Sequence, residues 1–312
     1  MKIKYLYWTK TKGIRGKLKT PEDFIVKEII NPKFLLRYKR ENKIEEMSGP
    51  YSLFLLKKKN LTTEQAISKI SKIFSLRDFG YAGLKDRFAV TYQYVTVKGK
   101  IGEYSDENIE ISDIRKINRP IAVGDLIGNE FIITLHDCKL NKINENVYAI
   151  AQGIPNYFGP QRFGKNKNNH VFGKLILQGI DKQQLYDRRI DKKLAKFFIH
   201  AYQSYIFNET VNEYIRKNKK PYFKYIPVVG YNTKLGNSKI DKIIKKILKK
   251  EKINIKDFKR DELRICCNGS KRKMFIRTKI DYKIYGNDVI LRFFLPKGSY
   301  ATNILREIQK SE

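Results

Sequence analysis

Asp86 stands between Lys85 and Arg87 in the stretch GLKDRFAVTYQYVTV, which runs from Gly83 to Val97. Neighbouring cations favour the charged form of a carboxylate. A charged Asp can serve as nucleophile, general base or metal ligand. Gly80 and Gly83 mark the residues before it as a loop, and the run from Val90 to Val97 reads as a strand. Asp86 therefore falls at a loop-to-strand junction, where a rigid support offers a side chain to a cleft. Metal-assisted phosphoryl chemistry needs a second carboxylate close by, and no DxD stands beside Asp86. On local chemistry alone, a turn carboxylate at the surface is the commoner outcome, so a catalytic role needs support from other parts of the chain.

Other chemistry is sparse. Cys138, Cys266 and Cys267 have neither disulfide nor zinc spacing, and His136, His170 and His200 are far apart in sequence. YFGPQRFG has two glycines but not the phosphate-loop arrangement. Nothing calls for a metal or a cofactor. The chain carries 20 Tyr and 18 Phe, and unpaired bases stack on such rings. Phe131, two residues after Asn129, is open to either role, core or stacking. Arg162, beside Gln161 in a glycine-flanked loop, reads as a phosphate contact or as surface decoration.

The 312 residues include 65 Lys and Arg against 32 Asp and Glu, a formal charge of +33, with 41% hydrophobic residues. The apolar share is that of a folded protein of about two domains. So large a charge repels itself in a compact state unless a polyanion absorbs it, and nucleic acid is the expected partner. No run of about 18 apolar residues predicts a membrane span, and MKIKYLYWTKTKG is too weakly apolar for a signal peptide. A cytoplasmic protein with no membrane association and no obligate protein partner is expected.

The elements that must position these residues read as mixed α and β. Residues 22–29 alternate as a strand, with Phe24, Val26 and Glu28 on one face and Ile25, Lys27 and Ile29 on the other. Residues 51–57 read as a more fully buried strand. NLTTEQAISKISKIFSL reads as a helix with a Thr62–Gln65 capping box and a stripe of Ile67, Ile70 and Phe74. RDFGYAGLKDR reads as a loop. A further strand is expected at 130–136, after a turn around Gly124, Asp125, Gly128 and Asn129. NYFGPQRFGKNKNNHVFGK reads as loop, and 181–215 as helical. SKIDKIIKKILKKEK has the Ile240, Ile243, Ile244, Ile247, Leu248 stripe of an amphipathic helix, whose lysines read as a solvated face before a dedicated RNA or membrane contact. Val289 to Leu295 reads as a central strand and Ala301 to Ile308 as a short helix. Strand-rich ends around a helix-rich centre suggest one αβ domain interrupted by an insertion.

Six stretches occur together in order: KTPEDFIVKEI, YAGLKDRFAVTYQ, VGDLIGNEFIITL, IPNYFGPQRFG, AYQSYIFN and FFLPKGSYATNILRE. On these the chain resembles the tRNA pseudouridine synthase D (TruD) family from about residue 15 to 308, and it looks most like an archaeal member. The combination of GLKDRFAVT, NYFGPQRFG and LPKGSYAT is highly specific. The resemblance implies an α+β chain: a pseudouridine synthase fold on a bent, mainly antiparallel sheet, with an inserted α/β TRUD-type domain. The catalytic domain would comprise 1–151 and 278–312, and the insertion 152–277.

The resemblance also implies site residues. Asp86 matches the catalytic aspartate of the family's G-x-K-D motif. Phe131 matches the ring of its N-x-F motif, expected to stack on the target base, and Asn129 its Asn. Lys19, Phe24 and Glu28 fall in the N-terminal motif that lines the same cleft, with Lys19 as the cation to pair with the aspartate. Lys85, Arg87, Gln161 and Arg162 are the expected RNA contacts. His136 departs from the Arg common in family members at the end of the GNxFxIxL strand, which puts a supporting or RNA contact there in question.

The implied reaction is isomerisation of a uridine in tRNA, typically U13 in the D arm, with the anticodon uridine of a tyrosine tRNA precursor as the alternative among archaeal relatives. It needs no cofactor, and it needs the base to leave its stack. Asp86 would attack covalently or take the C2′ proton to give a glycal. A non-catalytic RNA-binding protein and a metal-dependent nuclease are the competing classes.

Overall fold

Val26, Glu28 and Ile30 are buried and Ile29 is exposed, so the expected alternation becomes a strand, β1 (Phe24–Ile30), with one covered face. A computed structural model describes residues 3–31, 49–140, 142–179, 183, 187 and 190–310. By contacts the chain forms two compact units, Ile14–Ile143 with Thr278–Gly298, and Met1–Gly13 with Asn144–Arg277 and Ser299–Glu312.

The first unit is built on a mainly antiparallel sheet. After β1 come β2 (Tyr51–Lys59), β3 (Phe79–Tyr81), β4 (Val90–Lys98) and β5 (Tyr104–Ser105). These are followed by β6 (Ile109–Ile117), β7 (Leu126–Leu135), β8 (Ile280–Tyr285) and β9 (Asp288–Pro296). Among the described residues the order is β8-β9-β7-β1-β4-β2-β6-β5, with β3 also on β4. Only the β1–β4 pairing is parallel. β1 pairs with Val90–Tyr92 and β3 with Val95–Val97, so the two share one edge of β4 and the chain between β3 and β4 lies beside β1.

Helix α1 (Thr63–Phe74) starts at the expected capping box. Thr62 Oγ1 accepts from Gln65 N–H, and Gln65 Oε1 accepts from Thr62 N–H. Its Ala66 and Ile70 pack on Phe54, Leu56, Val95 and Val97.

Two expectations for this unit need correction. Phe79–Tyr81, read as loop, is β3. Gly128 and Asn129, read as turn, lie inside β7, which starts at Leu126. Glycine serves there because of close approach: a Cβ on Gly128 would sit 2.2 Å from the Leu295 carbonyl oxygen and 2.5 Å from the Phe294 ring.

The second unit is helical, with short two-stranded ladders. Its helices are α2 (Ile143–Ala151), whose first residue falls in the sheet unit, then α3 (Asn169–Leu177), α4 (Lys192–Lys217), α5 (Lys239–Glu251) and α6 (Ala301–Gln309). Helix α4 buries Ala195, Ile199 and nearly every residue from Ala201 to Asn212, as suits a central helix. Helix α5 buries Ile240, Ile244, Ile247 and Leu248 and turns its lysines outward. Asn169–Lys174, read as loop, is helical in α3, and part of the expected helix over 181–215 lies outside the described residues.

The sequence reading placed both chain ends with the sheet. By contacts, residues 1–13 and 299–312 group with 144–277. The Glu307 carboxylate in α6 accepts hydrogen bonds from Trp8 N–H at 2.7 Å and Thr9 N–H at 3.1 Å, and Asn303 Nδ2 donates to the Tyr157 carbonyl. Glu307 is 2% exposed, so these bonds compensate a buried charge and fix the N-terminal segment along the last helix.

Candidate active site

Asp86 is exposed on a segment whose backbone and neighbours are tied down. The Lys85 N–H donates to Thr63 Oγ1 at 2.9 Å, and that hydroxyl donates to Gln93 Oε1 at 2.9 Å. The Asp86 carbonyl accepts from Lys58 Nζ at 3.0 Å. Lys85 Nζ lies 2.5 Å from Glu28 Oε1, and Arg87 Nε donates to the Asn60 carbonyl at 3.0 Å. The Asp86 carboxylate makes no hydrogen bond or ion pair among the described residues. It is an unengaged carboxylate on a segment whose backbone is tied down.

The strand register shows what the segment is tied to. Glu28 sits opposite Asn129, and Val26 opposite Phe131. Phe131 sits opposite Phe293 in β9, Val26 beside Thr91 in β4, and Thr91 opposite Lys58 in β2. Alternation in each strand then places Phe24, Glu28, Asn129, Phe131, Phe293, Thr91, Gln93 and Lys58 on one face of the sheet. The ties from Lys85 to Glu28 and from Asp86 to Lys58 bring the Asp86 segment to that face.

Phe131 is 7% exposed, stacked on Phe293 with ring centroids 5.4 Å apart and meeting the Phe24 ring edge-on at 6.0 Å. Phe24 is half-buried. Asn129 Oδ1 is buried with no hydrogen-bond partner among the described residues. An unpaired buried acceptor is costly in the free protein.

Glu28 is fully buried and Lys85 nearly so. Burial is the largest influence on the Glu28 carboxyl and raises its pKa. The Lys85 charge and the N–H of Tyr94 oppose that rise. Lys85, expected at the RNA backbone, is thus committed to a buried ion pair. Arg87 is exposed, with its Nε engaged by the Asn60 carbonyl.

Lys19, expected to pair with Asp86, lies 3.1 Å from Asp137. Its backbone N–H and that of Thr20 donate to Asp23 Oδ2 at 2.7 and 2.8 Å. His136 bridges two carboxylates, with Nε2 3.0 Å from Asp23 and Nδ1 2.8 Å from Asp288. His136, where the resemblance implies an Arg, thus links Asp23, next to Phe24, to Asp288 within the chain.

Hydrogen bonding to Asp23, and then to Asp288, raises the His136 pKa. Asp288 is lowered chiefly by His136. Asp23 is lowered by hydrogen bonds from Thr20, His136 and Lys19, although burial pushes it the other way. A raised histidine pKa stabilises the fold fully below the ordinary value, and the gain is lost as pH rises through the raised one. In urea unfolding, the stability gap between the wild type and His136→Gln is expected to be larger at pH 6 than at pH 9. A gap that grows with pH would contradict the link.

Gln161 and Arg162 lie in the other compact unit, in a 3₁₀ turn, Pro160–Phe163. Gln161 is exposed; Arg162 is half-buried and donates from Nε to Ser204 Oγ at 3.3 Å. Three of the motif stretches meet here. Asn208 of AYQSYIFN brackets Phe158 of NYFG, accepting from its N–H at 2.9 Å and donating to its carbonyl at 3.0 Å. Asn303, after GSYAT, holds the Tyr157 carbonyl at 2.8 Å. Arg272 stacks on Phe158 at 4.2 Å and donates to the Asn156 side chain and backbone.

Comparison with known proteins decides the family. The family model described as tRNA pseudouridine synthase D (TruD) matches residues 3–188 and 216–308. The chain belongs to the TruD family. Among its relatives is a probable tRNA pseudouridine synthase D of Thermococcus sibiricus, 29% identical over 98% of this chain and 97% of that protein. Another, of Methanococcus vannielii, is 30% identical over 96% of this chain and 97% of that protein. A crystal structure of the putative tRNA pseudouridine synthase D from Methanosarcina mazei superposes with a TM-score of 0.74 at 23% identity, covering 99% and 96% of the two chains, so the TruD fold is shared.

Among the described residues no three His, Cys, Asp or Glu side chains are grouped to hold a metal ion, and no helix is long and apolar enough to cross a membrane. The sequence reading missed Lys58, Thr63 and Gln93 beneath this TruD-family site, and Phe293 beside Phe131.

Proposed function

We propose that this chain isomerises uridine to pseudouridine in tRNA, with Asp86 as the reacting carboxylate and position 13 of the D arm as its target. The observation that carries the reading is an unengaged Asp86 carboxylate on a segment fixed to the sheet face that bears Phe24, Asn129 and Phe131. Membership of a family whose curated relatives carry the name of a tRNA pseudouridine synthase supports the same chemistry.

In the reaction the N1–C1′ bond breaks, the uracil turns, and C5 bonds to C1′. The C5 proton leaves to solvent and N1 gains a proton, so nothing is oxidised, reduced or transferred. Attack by Asp86 on the substrate and removal of the C2′ proton make the same demand: one unpaired carboxylate held still against the sugar. The target nucleotide has to be extruded from its stack. Phe24 and Phe131 supply apolar surface for the base, and the buried Asn129 Oδ1 accepts a hydrogen bond from it.

The formal charge of +33 supports binding to the tRNA backbone. Exposed Arg87, together with Gln161 and Arg162 of the second unit, is proposed to contact it. Affinity is expected to fall linearly in log–log with salt. Engaging about six phosphates would cost on the order of 10³-fold between about 50 and 200 mM. A salt-independent Kd from filter binding would exclude this mode.

The function is tested by incubating unmodified tRNA transcripts with the protein and mapping carbodiimide-stable adducts by primer extension. A new stop at position 13 is expected. Modification confined to the anticodon uridine of a tyrosine tRNA precursor would reassign the target, and no modification of any transcript would refute the activity.

A further inference from the structure

Lys58 is a lysine in a core position. Ser52, Phe54, Leu56 and Lys58 alternate onto one face of β2, and all four are fully buried. Complete burial of an ammonium is expensive unless donors and charge are matched. Here Nζ donates to the Leu61 carbonyl at 2.7 Å and to the Asp86 carbonyl at 3.0 Å. The first bond caps the turn between β2 and α1. The second reaches 28 residues along the chain to the one residue whose side chain must be held in place for the chemistry. We propose that Lys58 is a positioning residue for the isomerisation, a buried cation that fixes the backbone of Asp86 and lends positive potential beneath its carboxylate. The assignment rests on Asp86 being the reacting group, as proposed above.

Three further observations bear on it. The surrounding layer is polar where a core would be apolar. Thr63 and Gln93 are buried and bonded to each other, Thr63 also takes the Lys85 N–H, and Thr91 lies directly opposite Lys58. Thr91 Oγ1 and Gln93 Nε2 have no partner among the described residues, so the orienting contacts are the Thr63–Gln93 and Lys85–Thr63 bonds beside those of Lys58. Next, the charged groups that influence Lys58 come from the Asp86 segment and from α1. Asp86 favours its ammonium most, Lys85 opposes it, and Glu64 of α1 favours it weakly. Finally, burial outweighs that help and lowers the Lys58 pKa to about 8, so the ammonium is poised to lose its proton just above neutrality.

A bond to a backbone carbonyl acts on geometry rather than on tRNA affinity, so its loss falls on kcat. Misplacing a reacting group by about 1 Å costs on the order of 100-fold. Lys58→Met keeps the volume, removes the charge and suits the buried site, so the fold is retained. Single-turnover isomerisation by this variant is expected to slow by roughly 10- to 100-fold, with tRNA Kd unchanged within about twofold and the unfolding midpoint unchanged or raised. Lys58→Arg, which keeps the cation, is expected to recover part of the rate. The wild type supplies an arm that needs no variant: its single-turnover rate falls as pH is raised through about 8, while tRNA affinity does not fall in step.

An unchanged rate in Lys58→Met overturns the proposal, as does a lost rate matched by an equal loss of affinity. Should Lys58→Met fail to fold, an unchanged rate in Lys58→Leu overturns it equally. A wild-type protein that isomerises no uridine refutes the function itself, a different outcome from an active wild type indifferent to residue 58.

Discussion

Asp86→Asn is expected to bind tRNA as the wild type does, within about twofold, and to lose at least 10³-fold in single-turnover isomerisation, the loss expected when a general base or nucleophile is removed. The two halves of this result come from different parts of the structure. Asn has nearly the same shape. The ties to Thr63, Lys58 and Glu28 involve the backbone of residues 85 and 86 and the Lys85 side chain, none of which changes. The Asp86 carboxylate makes no ion pair or hydrogen bond among the described residues, so its replacement breaks no direct contact, although the buried Lys58 ammonium loses the charge that favours it most. What disappears is the charge and the nucleophilic oxygen. Filter binding and a chase against C5-tritiated transcript measure the two halves separately. Weakened binding with a normal rate on bound RNA would place Asp86 in recognition instead.

Glu28→Gln is expected to damage both stability and rate. Glu28 is fully buried and its Oε1 lies 2.5 Å from Lys85 Nζ. Burial outweighs the pairing in setting the Glu28 pKa, so ionised Glu28 is harder to keep in the fold than in the unfolded chain, and the pair by itself contributes little net stability. Breaking it from one side is another matter, because a nearly buried ammonium loses its counter-charge. A loss of about 3 kcal/mol is expected, at the lower end for buried pairs because the Lys85 side chain keeps some contact with water. In urea this is a lower midpoint at an unchanged slope.

The same change releases the residue that precedes Asp86, so the rate falls further than stability alone explains. The double variant Glu28→Leu with Lys85→Met, which removes both charges, is expected to regain most of the stability and little of the rate. Full recovery of both would show that the pair serves the fold only.

Local patterns were the part of the structure most open to reading in the sequence. The Thr62–Gln65 capping box, the β1 alternation and the Ile stripe of α5 depend on neighbours two to four residues away, and the structure forms all three. The junction that carries Asp86 was legible because the change from loop to strand before β4 is contiguous, whereas the role proposed for Asp86 came from the family resemblance. Pairings between distant segments were not legible. Lys85 lies 57 residues from Glu28, and nothing local marks it as buried. Lys58 stands in a run of three lysines that reads as surface, although extending the alternation from Phe54 and Leu56 would have put it in the core. Gly128 resembled a turn residue because its real constraint, the close approach of β9, comes from 167 residues further on at Leu295. The grouping of both chain ends with 144–277 likewise depends on Glu307 and Asn303 meeting Trp8, Thr9 and Tyr157.

The central claim, that Asp86 performs uridine isomerisation in tRNA, is tested most directly by tritium release from a tRNA transcript labelled at C5 of uridine, with the RNA run on a gel alongside. The wild type is expected to release tritium in a chelator-insensitive reaction that leaves the strand intact, and Asp86→Asn to release none above background. Equal release by both proteins, or strand cleavage without release, would contradict it.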